Sequence, residues 1–264
     1  MQTVATCEHH RQAHHEVPLT ATVIPIRAVS SGIPALPRTL GCSACAMRAT
    51  CMPPGLTPDE LARLDVTISA TRSIKRGEVL YRAGDAFQSI YTVRAGSFKT
   101  VVMHRDGREQ VTGFQIAGDP LGLEGICEGK QNCDAIALED SVVCIIPFAQ
   151  IESMCREMKS MRHYIYQKMS GEIVRESTQM MLLGTMRAEQ RVATFLLNLS
   201  KRFKARGFSA AEFHLRMTRE EIGCYLGLKL ETVSRIFSKF QREGLVHANG
   251  KTVRIEDAQG LAEV

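Results

Sequence analysis

The chain has no apolar run near the roughly 20 residues that span a bilayer, and its N-terminus has no apolar core of a secretory signal. Both absences predict a soluble, cytoplasmic protein without a membrane partner. It also lacks an even cysteine count. Nine cysteines in 264 residues do not read as a disulfide framework, and in a reducing compartment such thiols bind metal or stay free. No nucleophile, base and orienting group stand in a catalytic pattern, so no enzyme is expected. Charge imbalance is missing from the first 184 residues, which carry 19 Lys+Arg and 19 Asp+Glu. The whole excess lies in residues 185–264, with 14 basic against 9 acidic side chains. A basic C-terminal third suits a domain that approaches phosphate.

What is present begins with four cysteines. Cys42, Cys45 and Cys51 stand in CSACAMRATC, and Cys144 follows in EDSVVCIIP. The first three form a C-x2-C-x5-C pattern. The fourth lies 93 residues on, so only folding can bring it beside them. Four thiolates can hold either a [4Fe–4S] cluster or a structural zinc. The other cysteines, Cys7, Cys127, Cys133, Cys155 and Cys224, read as small core or surface residues.

Residues 1–41 show no helix or strand period and carry four prolines, which reads as a disordered extension. Its Cys7, His9, His10, His14 and His15 read as a flexible polar tail with incidental metal affinity. Thr57-Pro58-Asp59-Glu60 is a capping box with proline at the first helical position, predicting a helix over 58–66. From Ser73 to Ile146, short β-branched runs alternate with Gly- and Asp-rich turns. Strands are expected at 78–81, 89–93, 98–103, 110–115 and 141–146, closing into a β-roll or jelly roll.

Residues 158–187 read as one long helix. Arg162, Tyr166, Met169, Ile173, Glu176, Met180 and Leu183 recur at alternating spacings of four and three, as in a coiled-coil seam. This predicts a homodimer, with one acidic residue inside the seam. A further helix is expected over 189–203. Thr218-Arg219-Glu220-Glu221 starts another helix that runs to Leu226, and Gly227 permits a tight turn. Leu230–Glu243 then forms a recognition helix, and an Asn249-Gly250 turn makes the wing. Side-chain chemistry assigns the roles. Arg235 can pair with both guanine O6 and N7, Glu231 can accept from cytosine N4, and Ser234 can serve several base edges. Lys229, Lys239, Arg242, Lys251 and Arg254 suit phosphates, which position a protein without specifying sequence.

From Cys42 to about Ile255 the chain resembles the CRP/FNR superfamily, and within it the oxygen-sensing FNR branch. The likeness rests on the cysteine triplet, GDPLGLEGI, VCIIPF, MSGEI, LNLSKRF and MTREEIGCYLGLKLETVSRIFSKFQREGLV. It implies an α+β architecture: a cysteine loop and β-roll over 42–157, a dimerisation helix over 158–187 and a winged helix-turn-helix over 188–264. It also implies an oxygen-labile [4Fe–4S] cluster on Cys42, Cys45, Cys51 and Cys144, and homodimers on TTGAT-type inverted repeats of double-stranded DNA. The zinc alternative would make the chain a constitutive or thiol-sensing regulator. RNA polymerase is a further implied partner, at the loop His104-Arg105-Asp106-Gly107-Arg108. Cyclic-nucleotide members carry an Arg-Ser pair for the phosphate where this chain has Gln131 and Asn132. No cyclic nucleotide is therefore expected.

Overall fold

The computed structural model describes residues 41–68 and 70–264. The predicted metal-affine tail, Cys7 to His15, lies outside them. The described residues begin with a tight turn over Cys42–Ala44 and a single helical turn, α1 (Arg48–Cys51). Helix α2 (Pro58–Thr67) follows, with its capping box formed: Glu60 N–H donates to Thr57 Oγ1 at 3.2 Å, and Thr57 N–H to the Glu60 carboxylate at 2.8 Å.

Eight strands then build the β-roll: β1 (Ala70–Ile74), β2 (Val79–Tyr81), β3 (Ser89–Ala95), β4 (Ser97–Met103), β5 (Glu109–Ile116), β6 (Pro120–Leu121), β7 (Asp134–Ala137) and β8 (Ser141–Pro147). They form two antiparallel four-stranded sheets, ordered β1-β8-β3-β6 and β2-β7-β4-β5. Inward residues alternate along the strands. Ile74, Leu80, Val93, Phe98, Ala135 and Val143 fill the space between the sheets. The five anticipated strands are present. Three more, β1, β6 and β7, complete the roll.

Two helices follow where one was expected. Helix α3 (Phe148–Glu157) packs Ile151 and Met154 into the core beside α2. The chain leaves helical geometry at Met158, and α4 (Lys159–Thr185) then runs for 27 residues. Along it Tyr166, Met169, Ile173 and Met180 are exposed, with 62%, 37%, 64% and 71% of their surface accessible. Arg162 and Glu176 are exposed on the same helix, whereas Leu183 is half-buried against the C-terminal core.

The C-terminal part comprises α5 (Ala188–Lys204), β9 (Glu212–His214), α6 (Arg219–Leu226), α7 (Leu230–Arg242), β10 (Val246–Asn249), β11 (Thr252–Ile255) and α8 (Ala258–Ala262). β9 pairs with β11, making the wing a three-stranded sheet rather than a bare hairpin. Asn249 is paired with Thr252, so the turn is centred on Gly250-Lys251, one residue later than expected. Gly250, with φ of +58°, sits at the first central position, where such two-residue turns demand glycine. The apolar core is continuous between the two halves: Val101, Val111, Phe114 and Leu138 of the β-roll join Phe195, Leu199, Ile222 and Leu226.

Candidate cysteine and DNA-reading sites

Cys144 lies at the middle of β8, facing Thr71 of β1 and Thr92 of β3. Both neighbouring strands hold it, so its place is fixed by the sheet. The other three cysteines come from the loop and α1. Two contacts tie that loop down. Ser43 donates its N–H and its hydroxyl to the Asp65 carboxylate of α2, at 3.0 and 2.6 Å. The Thr50 carbonyl accepts from Tyr164 Oη and Lys168 Nζ of α4, both at 3.1 Å.

This arrangement brings Cys42, Cys45, Cys51 and Cys144 to the wall of one small cavity, with Met47, Arg48, Ile68, Thr92, Arg94 and Ile146. All four are partly buried and free of disulfides. Among the described residues, no three His, Cys, Asp or Glu side chains converge tightly enough to hold a single ion. The four cysteines share the cavity wall. Burial pushes the Cys42 thiol up to about 11, helped by the Cys144, Asp65 and Cys45 side chains and opposed by Arg94. Burial, then Cys144 and Cys45, takes Cys51 to about 12, with Lys168 opposing. Burial also raises Cys144, against the pull of Arg94. Such thiols stay protonated until a cationic group replaces the protons.

The DNA-reading segment is built around two close approaches. Thr218 and Glu221 form the second capping box. Gly227 ends α6 in the left-handed region at φ +64°, and a Cβ at Gly223 would stand 2.5 Å from the Leu228 carbonyl oxygen. Glycine at both positions lets α7 turn sharply against α6. Val233, Ile236, Phe237 and Phe240 bury one face of α7. Glu231, Ser234 and Arg235 point to solvent from its first turns. Arg235 is steadied by Thr232 Oγ1 at 3.4 Å. Arg219, at the start of α6, lies 3.2 Å above the Phe237 ring and locks the two helices together.

The expected phosphate set divides. Lys229 and Arg242 are exposed. Arg254 is exposed but paired with Glu256 at 2.6 Å. Lys239 instead pairs with Glu189 of α5 at 2.6 Å, and Lys251 Nζ donates to the Arg216 carbonyl at 2.9 Å. Those two ammonium groups are engaged within the chain.

The loop His104–Arg108 joins β4 to β5 and is exposed throughout. Hydrogen bonds from Arg108 and His104 hold the Asp106 carboxyl well below the usual carboxylate range. Sequence reasoning missed Ser43, Asp65, Tyr164 and Lys168, which hold the cysteine loop. It also missed Asp119, Arg202 and Arg206, which join the β-roll to α5.

A β-roll, a long helix with a bare apolar stripe and a winged helix-turn-helix together define a sensor-coupled DNA-binding regulator. Residues 71–158 match the model of the cyclic nucleotide-binding domain, and residues 190–264 that of the Crp-like helix-turn-helix domain. The chain is 43% identical to the transcriptional regulatory protein btr of Bordetella pertussis, over 88% of this chain and 96% of that one. It is 43% identical to the transcriptional activator protein anr of Pseudomonas aeruginosa, over 82% and 89%. It is 40% identical to the fumarate and nitrate reduction regulatory protein of Escherichia coli, over 90% and 94%. The structure of FixK2 from Bradyrhizobium japonicum superposes with a TM-score of 0.67 at 30% identity, over 74% of this chain and 96% of that one. The chain belongs to the CRP/FNR superfamily of transcription regulators, on its FNR branch. It is a DNA-binding protein and not an enzyme.

Within the β-roll, Gln131 is buried beside Gly122 and Gly125. Glu124 accepts from Tyr81 Oη at 3.0 Å and from Cys133 Sγ at 3.2 Å close by.

Proposed function

We propose that the chain is an oxygen-responsive regulator of anaerobic gene expression that holds a [4Fe–4S] cluster on Cys42, Cys45, Cys51 and Cys144. The observation that carries this reading is the shared cavity that all four thiols line. The donor set fits the group. A single zinc draws its thiolates to about 2.3 Å from one point, whereas a four-iron cube takes them at four corners. Four cysteines on the wall of one cavity supply the thiolate set such a cluster takes. When bound, such a cluster supplies an oxygen-labile tie among the four thiolates.

The chain's own residues turn that tie into a signal. Cys144 is fixed in the sheet, so the tie fixes the loop relative to β8. The loop reaches α4 directly, because Tyr164 and Lys168 both hold the Thr50 carbonyl, one residue before Cys51. Setting the loop therefore sets the first turns of α4. The exposed stripe Tyr166, Met169, Ile173 and Met180 is the face a second copy covers. Glu176 lies in that stripe, and in a parallel pair it faces its twin. Two facing carboxylates repel or share a proton, which weakens the dimer. The set of α4 then supplies the coupling that tips the balance, typically about 1–3 kcal/mol.

As a homodimer the chain reads TTGAT-type inverted repeats through Glu231, Ser234 and Arg235. A monomer reads one half-site and loses avidity. The loop His104–Arg108 faces outward from the β-roll as a contact for RNA polymerase. Neither a cyclic nucleotide nor a membrane is a partner in this reading.

The test is iron and acid-labile sulfide analysis of anaerobically purified protein, with DNA binding measured on the same sample before and after air. About four irons and four sulfides per chain, lost in air together with DNA binding, is the expected result. Zinc without sulfide would replace this reading with a structural site.

A further inference from the structure

The turn Gly118-Asp119-Pro120, between β5 and β6, touches both the cysteine loop and the DNA-binding half. On one side Gly118 has φ of +91°, and a Cβ there would lie 2.6 Å from Thr50 Cγ2 and 3.2 Å from Met47 Cε. Met47 and Thr50 lie between Cys45 and Cys51. On the other side the Asp119 carboxylate pairs with Arg202 and Arg206, at the C-terminal end of α5. The three side chains are only 11%, 18% and 8% exposed. Arg202 also donates to the Phe114 carbonyl at 2.7 Å, and Arg206 Nε to the Ala117 carbonyl at 2.5 Å. The turn is anchored as well: Gly118 N–H donates to the Val93 carbonyl at 2.7 Å, and Asp119 accepts from Ile116 N–H at 2.8 Å.

We propose that this turn is a second route from the cysteine site to the DNA-binding half, alongside the dimer helix. A buried Arg–Asp–Arg group holds its charges only in good geometry. It cannot absorb a displacement of the turn by stretching, so a shift of Met47 and Thr50 is passed to the end of α5. Gly118 makes the contact close, because any side chain there would push the loop away. The inference rests on the cluster reading above. Being in between is not coupling, so the claim stands on a perturbation of the turn.

The variant is Asp119→Asn in the full-length, anaerobically purified protein. It keeps an acceptor for Ile116 N–H and removes the charge shared by the two arginines. Iron, acid-labile sulfide, sedimentation mass, hydrogen exchange over residues 199–207 and affinity for an inverted-repeat duplex are measured before and after air. In wild type, exchange over 199–207 should rise in air. Asp119→Asn should exchange there like air-exposed wild type while still anaerobic, with full iron, sulfide and dimer mass. Its anaerobic affinity should fall about tenfold, within the usual range for coupled sites. Oxygen-dependent exchange and affinity equal to wild type would overturn the route. Loss of iron, sulfide or dimer mass together with binding would overturn it too, by making Asp119 merely structural. Wild type without iron and sulfide would instead remove the cluster reading beneath it. Gly118→Ala serves if Asp119→Asn does not fold. It should raise exchange over 199–207 with the cluster retained, and unchanged exchange would count against the route.

Discussion

Glu176→Leu tests the central step most directly. Glu176 is exposed on α4 and, among the described residues, makes no ion pair. Its neighbours in the stripe, Ile173 and Met180, are 64% and 71% exposed. Leucine at 176 makes the stripe continuous across that gap. Burying one leucine side chain is worth about 1.5–3 kcal/mol, and a symmetric dimer buries two. The gain is then about 3 kcal/mol or more before relief of carboxylate repulsion, or at least about a hundredfold in dimer affinity. The air-exposed variant should therefore sediment as a dimer at micromolar concentration, and should bind its inverted repeat in air. Analytical ultracentrifugation beside air-exposed wild type reads the result. A variant that stays monomeric would refute the reasoning. So would a wild type fully dimeric without its cluster, which would point to reorientation within a permanent dimer.

Individual Cys→Ser changes at Cys42, Cys45, Cys51 and Cys144 should abolish stable iron and sulfide binding, whereas Cys155→Ser and Cys224→Ser should not; a full complement in the Cys144 variant would remove it as a ligand. Arg235→Ala should cost about 1–3 kcal/mol at one base pair and relax preference there, read by selection on a randomised half-site. Lys229→Ala should weaken all sequences alike and lower the salt slope by about one, while Lys251→Ala, whose ammonium already serves the Arg216 carbonyl, should change the slope less. The cluster-free fold should lose stability as pH climbs from about 9 toward 11–12, because unfolded cysteines ionise first while Cys42 and Cys51 still hold their protons. Urea titrations across that range should show the loss, and Cys42→Ser and Cys51→Ser should each reduce it.

Much of this fold was legible because its signals are local. The two Thr–Glu capping boxes marked α2 and α6 to the residue, and the glycine turns separated the longer strands. What escaped had no such mark. Helix α3 starts after Pro147 with no side-chain cap. Strands β1 and β7, ATRSI and DAIA, carry few β-branched residues, and the sheet partners that define them are distant in sequence. The site divides in the same way. The cysteine spacing marked Cys42, Cys45 and Cys51, and the fold brings Cys144 to the same cavity. The residues that connect the site to the rest could not be read. Tyr164 meets Thr50 across 114 positions, and Arg206 meets Asp119 across 87. Lys239 meets Glu189 across 50 positions, a contact no local pattern marks.

The unequal mounting of the four cysteines has a consequence for what happens when the tie is lost. Joining Cys51 to Cys144 in an unfolded chain would require closing a loop of 93 residues, an entropic cost that grows with the logarithm of length. Here the β-roll has already closed that loop, because Cys144 is held by strand pairing on both sides. Losing the proposed cluster would then leave intact the strand pairing that holds Cys144. A fuse destroys its circuit when it blows. The proposed cluster would instead be mounted as a plug in a socket, with the socket built by the hydrogen bonds of the sheet, so the same molecule could be loaded again.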